Sequence, residues 1–334
     1  MPIAERSDLI IVYPDHLPEV NEDWATFIKI PSYLKLKLID LMSLTDYVLK
    51  IMMQAGDFDM VYCFSSGPFF QLIGTLLARM SRCPCVMHIN GNGALARSFF
   101  MTPMKKMQED AVDTLGLNNV DVIVPISSHL QEVIGSRVLD ASRITRPVPF
   151  SVDLDAFKPA PMPSRLCVGY AGRISPEKGI EFLLKVMDAT PKMKYRIAGP
   201  IEKMDGKFPD NCNYTGEFEH HEMNYFYYLN SILTLPSYGE GISALILESY
   251  ATGRPIICTP EAHPPELPVI GYEVSRDVEA WTKTIQELTP EDVAKKGKEA
   301  RKWITENWPS WDDFGVAMTK VFKVAMKDYP VTEH

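Results

Sequence analysis

The chain is poor in cysteine and has no metal-binding arrangement of it: six residues in 334, at positions 63, 83, 85, 167, 212 and 258, with no C-x-x-C pair. Cys63, Cys85, Cys167 and Cys258 lie in or beside strand-like apolar runs. They read as buried, reduced thiols of a cytosolic protein rather than as a disulfide framework or a zinc site. No apolar run approaches the ~20 residues of a membrane span. The opening MPIAERSD is charged where a signal peptide needs an apolar core. An excess of basic residues is also missing. Thirty-four Lys and Arg face 43 Asp and Glu, for a net charge of −9, which excludes a general nucleic-acid binder. There is no internal repeat and no low-complexity segment.

What is present is the composition of a soluble globular protein, 46% hydrophobic and 23% charged, on a chain long enough for two domains. Charge is unevenly spread. Residues 24–106 hold nine Lys or Arg against four Asp or Glu, locally +5, so the remainder carries −14. A basic zone in an acidic protein suggests an anionic partner, a membrane surface among them. Residues 34–54, LKLKLIDLMSLTDYVLKIMMQ, place Lys35, Lys37 and Lys50 among Leu and Met, and 97–106 adds Arg97, Lys105 and Lys106 around FFMTPM. The alternative for 34–54 is a helix packed on its own sheet.

Short apolar runs alternate with helical stretches, which predicts an α/β fold. Strands are expected at 9–13, 27–30, 60–64, 85–89, 122–126 and 144–149, then at 166–171, 195–198, 212–215, 232–235, 255–258 and 269–274. Helices are expected at 34–54, 69–80, 104–115, 179–189, 221–229, 243–251 and 311–327. The proline-spaced stretch from Lys158 to Ser164 is a stiff connection between the halves.

Three motifs compete for phosphate chemistry. Gly91–Ala96, GNGALA, fits G-x-G-x-x-A, but no second strand ending in an acidic residue follows. It reads as a glycine turn lining a cleft. The triplets Asp57-Phe-Asp59 and Asp153-Leu-Asp155 are poorly placed for a metal. The segment VGYAGRISPEKGIEFLL, 168–184, is stronger. A strand ends in Ala-Gly, Arg173 follows, and Ser175-Pro176 predicts a helix N-terminus beside Lys178. Two cations at the positive end of a helix suit a diphosphate. A solvated basic pair beside Glu177 and Glu181 fits the residues equally well. The segment YGEGISALILESYATGRP, 238–255, tips the balance. Glu240 sits in a glycine turn after a strand, and Glu248 lies eight residues on, in an apolar helix. Ligands of open α/β sheets bind at the C-terminal ends of the strands. Both carboxylates can therefore address one ligand, and each can accept two hydrogen bonds from sugar hydroxyls.

Together these residues resemble the GT-B glycosyltransferases of family 4, glycosyltransferases group 1, which transfer sugars from nucleotide-sugars with retention. Gly172-Arg173 and Lys178-Gly179 match that family's Gly-Arg…Lys-Gly segment. Glu240 and Glu248 match its E-x7-E, within Pro236-Ser237, Glu240-Gly241, Leu247-Glu248, Ala251, Gly253 and Pro255. The stretch 147–159 is similar to its domain-crossing signature, with Asp153, Phe157 and Pro159. The resemblance spans about 58–325. At the start the chain departs from it: nothing in residues 1–24 supplies the usual glycine acceptor loop, so the first domain is expected to be shortened.

The resemblance implies two Rossmann-like doubly wound domains facing a central cleft. Residues 1–157 would form the acceptor side and 158–310 the donor side, with a helix at about 311–330 returning to the first domain. Arg173 and Lys178 would hold the donor diphosphate, Glu248 the ribose, and Glu240 the donor sugar beside Gly241, Ile242 and Ser243. His88, ending CVMHI, would touch the sugar in the cleft near Gly91. The implied activity is retaining transfer of a hexose from a UDP- or GDP-sugar to a glycan, lipid-linked or small-molecule acceptor, with no metal or cofactor. It would occur in the cytoplasm, with peripheral contact to the inner membrane face. A GT-B sugar-nucleotide epimerase and a non-catalytic nucleotide-binding partner remain the alternatives.

Overall fold

In the computed structural model, the structure describes residues 10–14, 26–30, 59–64, 68–91, 102–204 and 207–328. The chain opens with β1 (Ile10–Pro14) and β2 (Thr26–Ile30), paired in parallel as a two-stranded sheet. A three-stranded parallel sheet follows, built from β3 (Val61–Phe64), β4 (Cys85–Ile89) and β5 (Val122–Pro125) in that spatial order. Between its strands run α1 (Pro68–Ser81) and α2 (Pro103–Leu117), which pack on each other, and α3 (Ser128–Gly135) comes after. Thr102 caps α2 and Ser127 caps α3, each accepting an amide of the first turn through its hydroxyl.

The second domain is a six-stranded, all-parallel sheet. Its strands are β6 (Cys167–Ala171), β7 (Lys194–Ala198), β8 (Cys212–Tyr214), β9 (Ile232–Leu235), β10 (Ile256–Cys258) and β11 (Gly271–Glu273). The spatial order is β11-β10-β9-β6-β7-β8. Counted from β6, this is the 3-2-1-4-5-6 order of a doubly wound sheet, which reverses direction between β6 and β9. Helices cover both faces, as an all-parallel sheet requires. On one side α4 (Ile180–Ala189) packs against α7 (Val278–Gln286), burying Leu183, Val186, Trp281 and Ile285. On the other, α6 (Ala244–Ala251) packs against α8 (Pro290–Asn307). There, α5 (Met223–Tyr228) buries Phe226 and Tyr227 in the same core.

The last helix, α9 (Trp311–Ala325), returns to the first domain. Its Phe314, Met318, Val321 and Ala325 form one apolar cluster with Val86 of β4 and Val122 and Val124 of β5. The other face of these strands, with Cys85, Met87 and Ile123, joins the large core shared with the second domain. Strand alternation thus sends β4 side chains toward α9 and toward α1 in turn.

Two expectations need correction. Residues 144–149 form no strand; Ile144 makes a single bridge to Ile123, and the Thr145 and Val148 amides donate to the Ile123 and Pro125 carbonyls. The helix expected to open at Ser175-Pro176 opens later. Residues 176–178 make a 3₁₀ turn, the Ser175 side chain caps nothing, and α4 begins at Ile180 after Gly179. The expected helix at 34–54 lies outside the described residues, as do residues 92–101.

Candidate active site

A cavity of ≈ 600 Å³ opens at the C-terminal ends of β6 and β9, where the strand order of the second domain reverses. Its second-domain wall comes from two loops. After β6 come Gly172, Arg173 and, at the end of the 3₁₀ turn, Lys178. After β9 comes Glu240, and then the N-terminus of α6 with Ile242, Ser243, Ala244 and Leu245. The α6 N-terminus lines the cavity and has no side-chain cap, so its positive dipole end is left to the cavity. The first domain supplies Phe64, Asn90, Gly91 and Phe150, and α9 supplies Trp311.

The charged groups are already paired. Lys178 Nζ donates to Glu240 Oε1 at 2.7 Å, and both side chains are largely buried. Arg173, half exposed, bridges Glu202 at 2.8 Å and Glu177 at 3.3 Å. Two loops that are far apart in sequence are clasped beneath these pairs. Gly179 adopts a left-handed backbone, φ +74°, and a Cβ on it would lie 2.1 Å from the carbonyl oxygen of Pro236. The Tyr238 amide donates to the Glu177 carbonyl at 3.0 Å. Gly241 makes the corresponding close approach between domains, where a Cβ would lie 2.6 Å from the Asn90 carbonyl oxygen. Gly241 is therefore a packing position rather than a cavity-lining one.

Glu248 faces α5 instead of the cavity lining. Its Oε2 accepts from the Tyr227 hydroxyl at 2.7 Å. Burial pushes its carboxyl up from 4.5 to about 7, against the smaller opposing effect of that hydrogen bond. Tyr227 was not singled out from the sequence. An aromatic residue one helix away carries no local sign that it will meet a carboxylate.

His88 is where the structure corrects the sequence most. It is fully buried, it does not line the cavity, and both ring nitrogens are engaged. Nε2 lies 2.8 Å from the Val148 carbonyl oxygen, which can only accept, so Nε2 carries the proton. Nδ1 then accepts from the Tyr62 hydroxyl at 2.8 Å. Burial lowers the imidazole to about 4, so it is neutral at pH 7. Alternation along CVMHI puts His88 on the Val86 face, under α9, and the Phe314 ring stacks on it at 5.9 Å. Among the described residues no cluster of His, Cys, Asp and Glu is arranged to hold a metal ion.

Residues 165–290 match the family model for glycosyl transferases group 1. The sulfoquinovosyl transferase SQD2 of Arabidopsis thaliana is 28% identical over 101 residues, 28% of this chain and 19% of that protein. The matched stretches span 19% and 25% of the curated relatives' lengths. Among solved structures, sucrose-phosphate synthase from Thermosynechococcus elongatus superposes with a TM-score of 0.78 at 18% identity, covering 96% of this chain and 90% of that one. Anabaena HepE in complex with UDP superposes with 0.65 at 14% identity, covering 90% and 86%. The fold is GT-B.

Glu248 carries a pH signature. Its raised value makes the ionised form costly in the folded chain. Wild type therefore loses stability relative to Glu248→Gln as pH rises from 4.5 through about 7. The gap should level off near 3 kcal/mol, about the free-energy equivalent of that shift. Denaturant unfolding of both proteins at pH 5 and pH 8.5 measures it. A gap that does not change between the two contradicts a raised Glu248.

Proposed function

We propose that the protein is a retaining glycosyltransferase that moves a hexose from a nucleoside diphosphate sugar to a glycan, lipid-linked or small-molecule acceptor. The observation that carries this is the Lys178–Glu240 pair at the mouth of the β6/β9 switch point, beside Arg173 and the uncapped start of α6. A diphosphate entering there would take Lys178 and Arg173 from their carboxylates and meet the helix dipole. Glu240, freed of its cation, would accept from hydroxyls of the donor sugar. The UDP in the HepE structure supports a uridine nucleotide among the candidates.

On this reading the rate comes from electrostatic support of the departing diphosphate by Lys178, Arg173 and the α6 N-terminus. The scheme uses no covalent double displacement between paired carboxylates. The leaving phosphate takes the acceptor's proton on the same face of the sugar, which preserves the anomeric configuration. His88, buried and twice bonded, supports the wall and does not touch the sugar. Glu248 and Tyr227 fix the far side of the donor domain, where the ribose would lie. The reaction requires no metal ion on this scheme.

Peripheral contact with an anionic membrane is a second part of the proposal. The first two turns of α2 expose Met104 and Met107 beside Lys105 and Lys106. Lys106 also bonds Asp110 at 2.7 Å, so the attraction rests on few charges. Co-sedimentation with anionic but not neutral vesicles at low salt is expected. Equal recovery with both contradicts it. Among the described residues no helix is long and apolar enough to cross a membrane.

Thermal-shift measurements with UDP, GDP and ADP test the donor site, since a nucleotide at ~100 times its dissociation constant adds ~2.7 kcal/mol. At least one should stabilise the protein. Lys178→Ala and Arg173→Ala should each weaken it by roughly 10- to 100-fold, the worth of one charge-assisted contact. EDTA should leave binding and transfer intact. Unchanged affinity in both variants removes the diphosphate site, and activity lost to EDTA and restored by Mg²⁺ removes the metal-free scheme.

A further inference from the structure

The cavity has two chemically different walls. Opposite the charged groups of the second domain stand Phe64 at the end of β3, Phe150, and Trp311 in the first turn of α9. Phe64 is 46% exposed and Trp311 38%, although both belong to a packed concave surface. They are the visible ends of a continuous row of rings. Phe64 meets His88 edge to face at 5.0 Å, His88 stacks on Phe314 at 5.9 Å, and Phe314 meets Trp311 edge to face at 5.5 Å. The two inner rings are buried.

This gives the neutral His88 a purpose. Its hydrogen bonds to Val148 and Tyr62 fix the ring plane, and Phe64 and Phe314 lie against it. Ser310 and Asp313 form a capping box that holds the first turn of α9, and with it Trp311. Two large aromatic side chains are thus kept partly exposed in fixed positions within a cavity that water can enter. Exposed aromatic surface held this way marks a binding wall.

Resting on the glycosyltransferase reading, we propose that Phe64 and Trp311 form an acceptor subsite that stacks a pyranose ring. The donor's anionic end belongs to the charged wall, which leaves the aromatic wall to the second reactant. A sugar ring carries C–H groups on its faces and hydroxyls around its edge. The C–H groups suit the negative faces of aromatic rings. The hydroxyls suit Asn90 and Glu177, which line the same cavity. An alkyl chain would gain nothing from those polar groups and would desolvate them at a cost. The acceptor is therefore a saccharide, bound through its ring beside the scissile bond of the donor.

The probes are methyl glycosides of glucose, galactose, mannose and N-acetylglucosamine, together with sucrose, maltose, cellobiose and lactose, and octyl phosphate for an alkyl occupant. Each is titrated by calorimetry into wild type, Phe64→Leu and Trp311→Leu, with and without UDP. At least one saccharide should bind wild type, and each variant should bind it roughly tenfold more weakly, the worth of one aromatic contact. UDP affinity should hold in both variants, because neither side chain is on the charged wall. UDP binding without any saccharide response overturns this inference alone, as does undiminished saccharide binding in both variants or binding of octyl phosphate in place of sugars. Failure of wild type to bind any nucleotide overturns the donor reading and this subsite with it.

Discussion

The loop after β6 and the loop after β9 can cross only because residue 179 has no side chain. A Cβ there would sit 2.1 Å from the Pro236 carbonyl oxygen, and the backbone, at φ +74°, is in a region that L side chains rarely adopt. The crossing lets the Tyr238 amide reach the Glu177 carbonyl and brings Lys178 to 2.7 Å from Glu240. It also falls at the switch point of the sheet, where the flanking connections leave in opposite directions and open a crevice. One steric allowance thus sets the spacing of the charges that define the site.

The second domain then needs the first to close the cavity. Gly241 lies against the Asn90 carbonyl, and the Glu266 carboxylate accepts from the Ser128 amide at the start of α3, where a negative charge suits the helix dipole. Ser151 Oγ donates to the Pro309 carbonyl at 2.6 Å, and Trp308 Nε1 donates to the Phe150 carbonyl at 3.0 Å, so the chain leading into α9 is tied to the domain crossing. Arg254 is fully buried and reaches the carbonyls of Ala160 and Pro161 in the linker and of Tyr227 and Asn230 at the end of α5. It spends its charge on backbone dipoles and sets the linker against the donor domain. The result is a cleft with one charged wall and one aromatic wall.

Much of the second domain was legible because its signals are local. Each strand is a short apolar run, each loop at the switch point carries its glycines and charges within a few residues, and β9 was placed to the residue. The helices 278–286 and 290–307 were not singled out, although Asp277 and Thr289-Pro290 are readable N-caps. The buried stripe of α8, Val293, Gly297, Ala300 and Ile304, is thin because it meets another helix closely rather than a broad core. His88 failed for the opposite reason. Its fate is decided by α9, more than 220 residues away in sequence, and by which face of a two-residue alternation that helix covers. Glu248 was placed on an apolar helix, but the hydroxyl it accepts from, that of Tyr227, comes from a neighbouring helix that gives no sign in the motif itself.

The central claim is that Glu240 holds Lys178 until a diphosphate replaces it. Calorimetric titration of UDP, which has the diphosphate but no sugar, into wild type and Glu240→Gln tests this most directly. With no donor sugar to grip, Glu240 only competes for Lys178 and repels the incoming anion. The account predicts that Glu240→Gln binds UDP several-fold more tightly than wild type. Equal or weaker binding would contradict it.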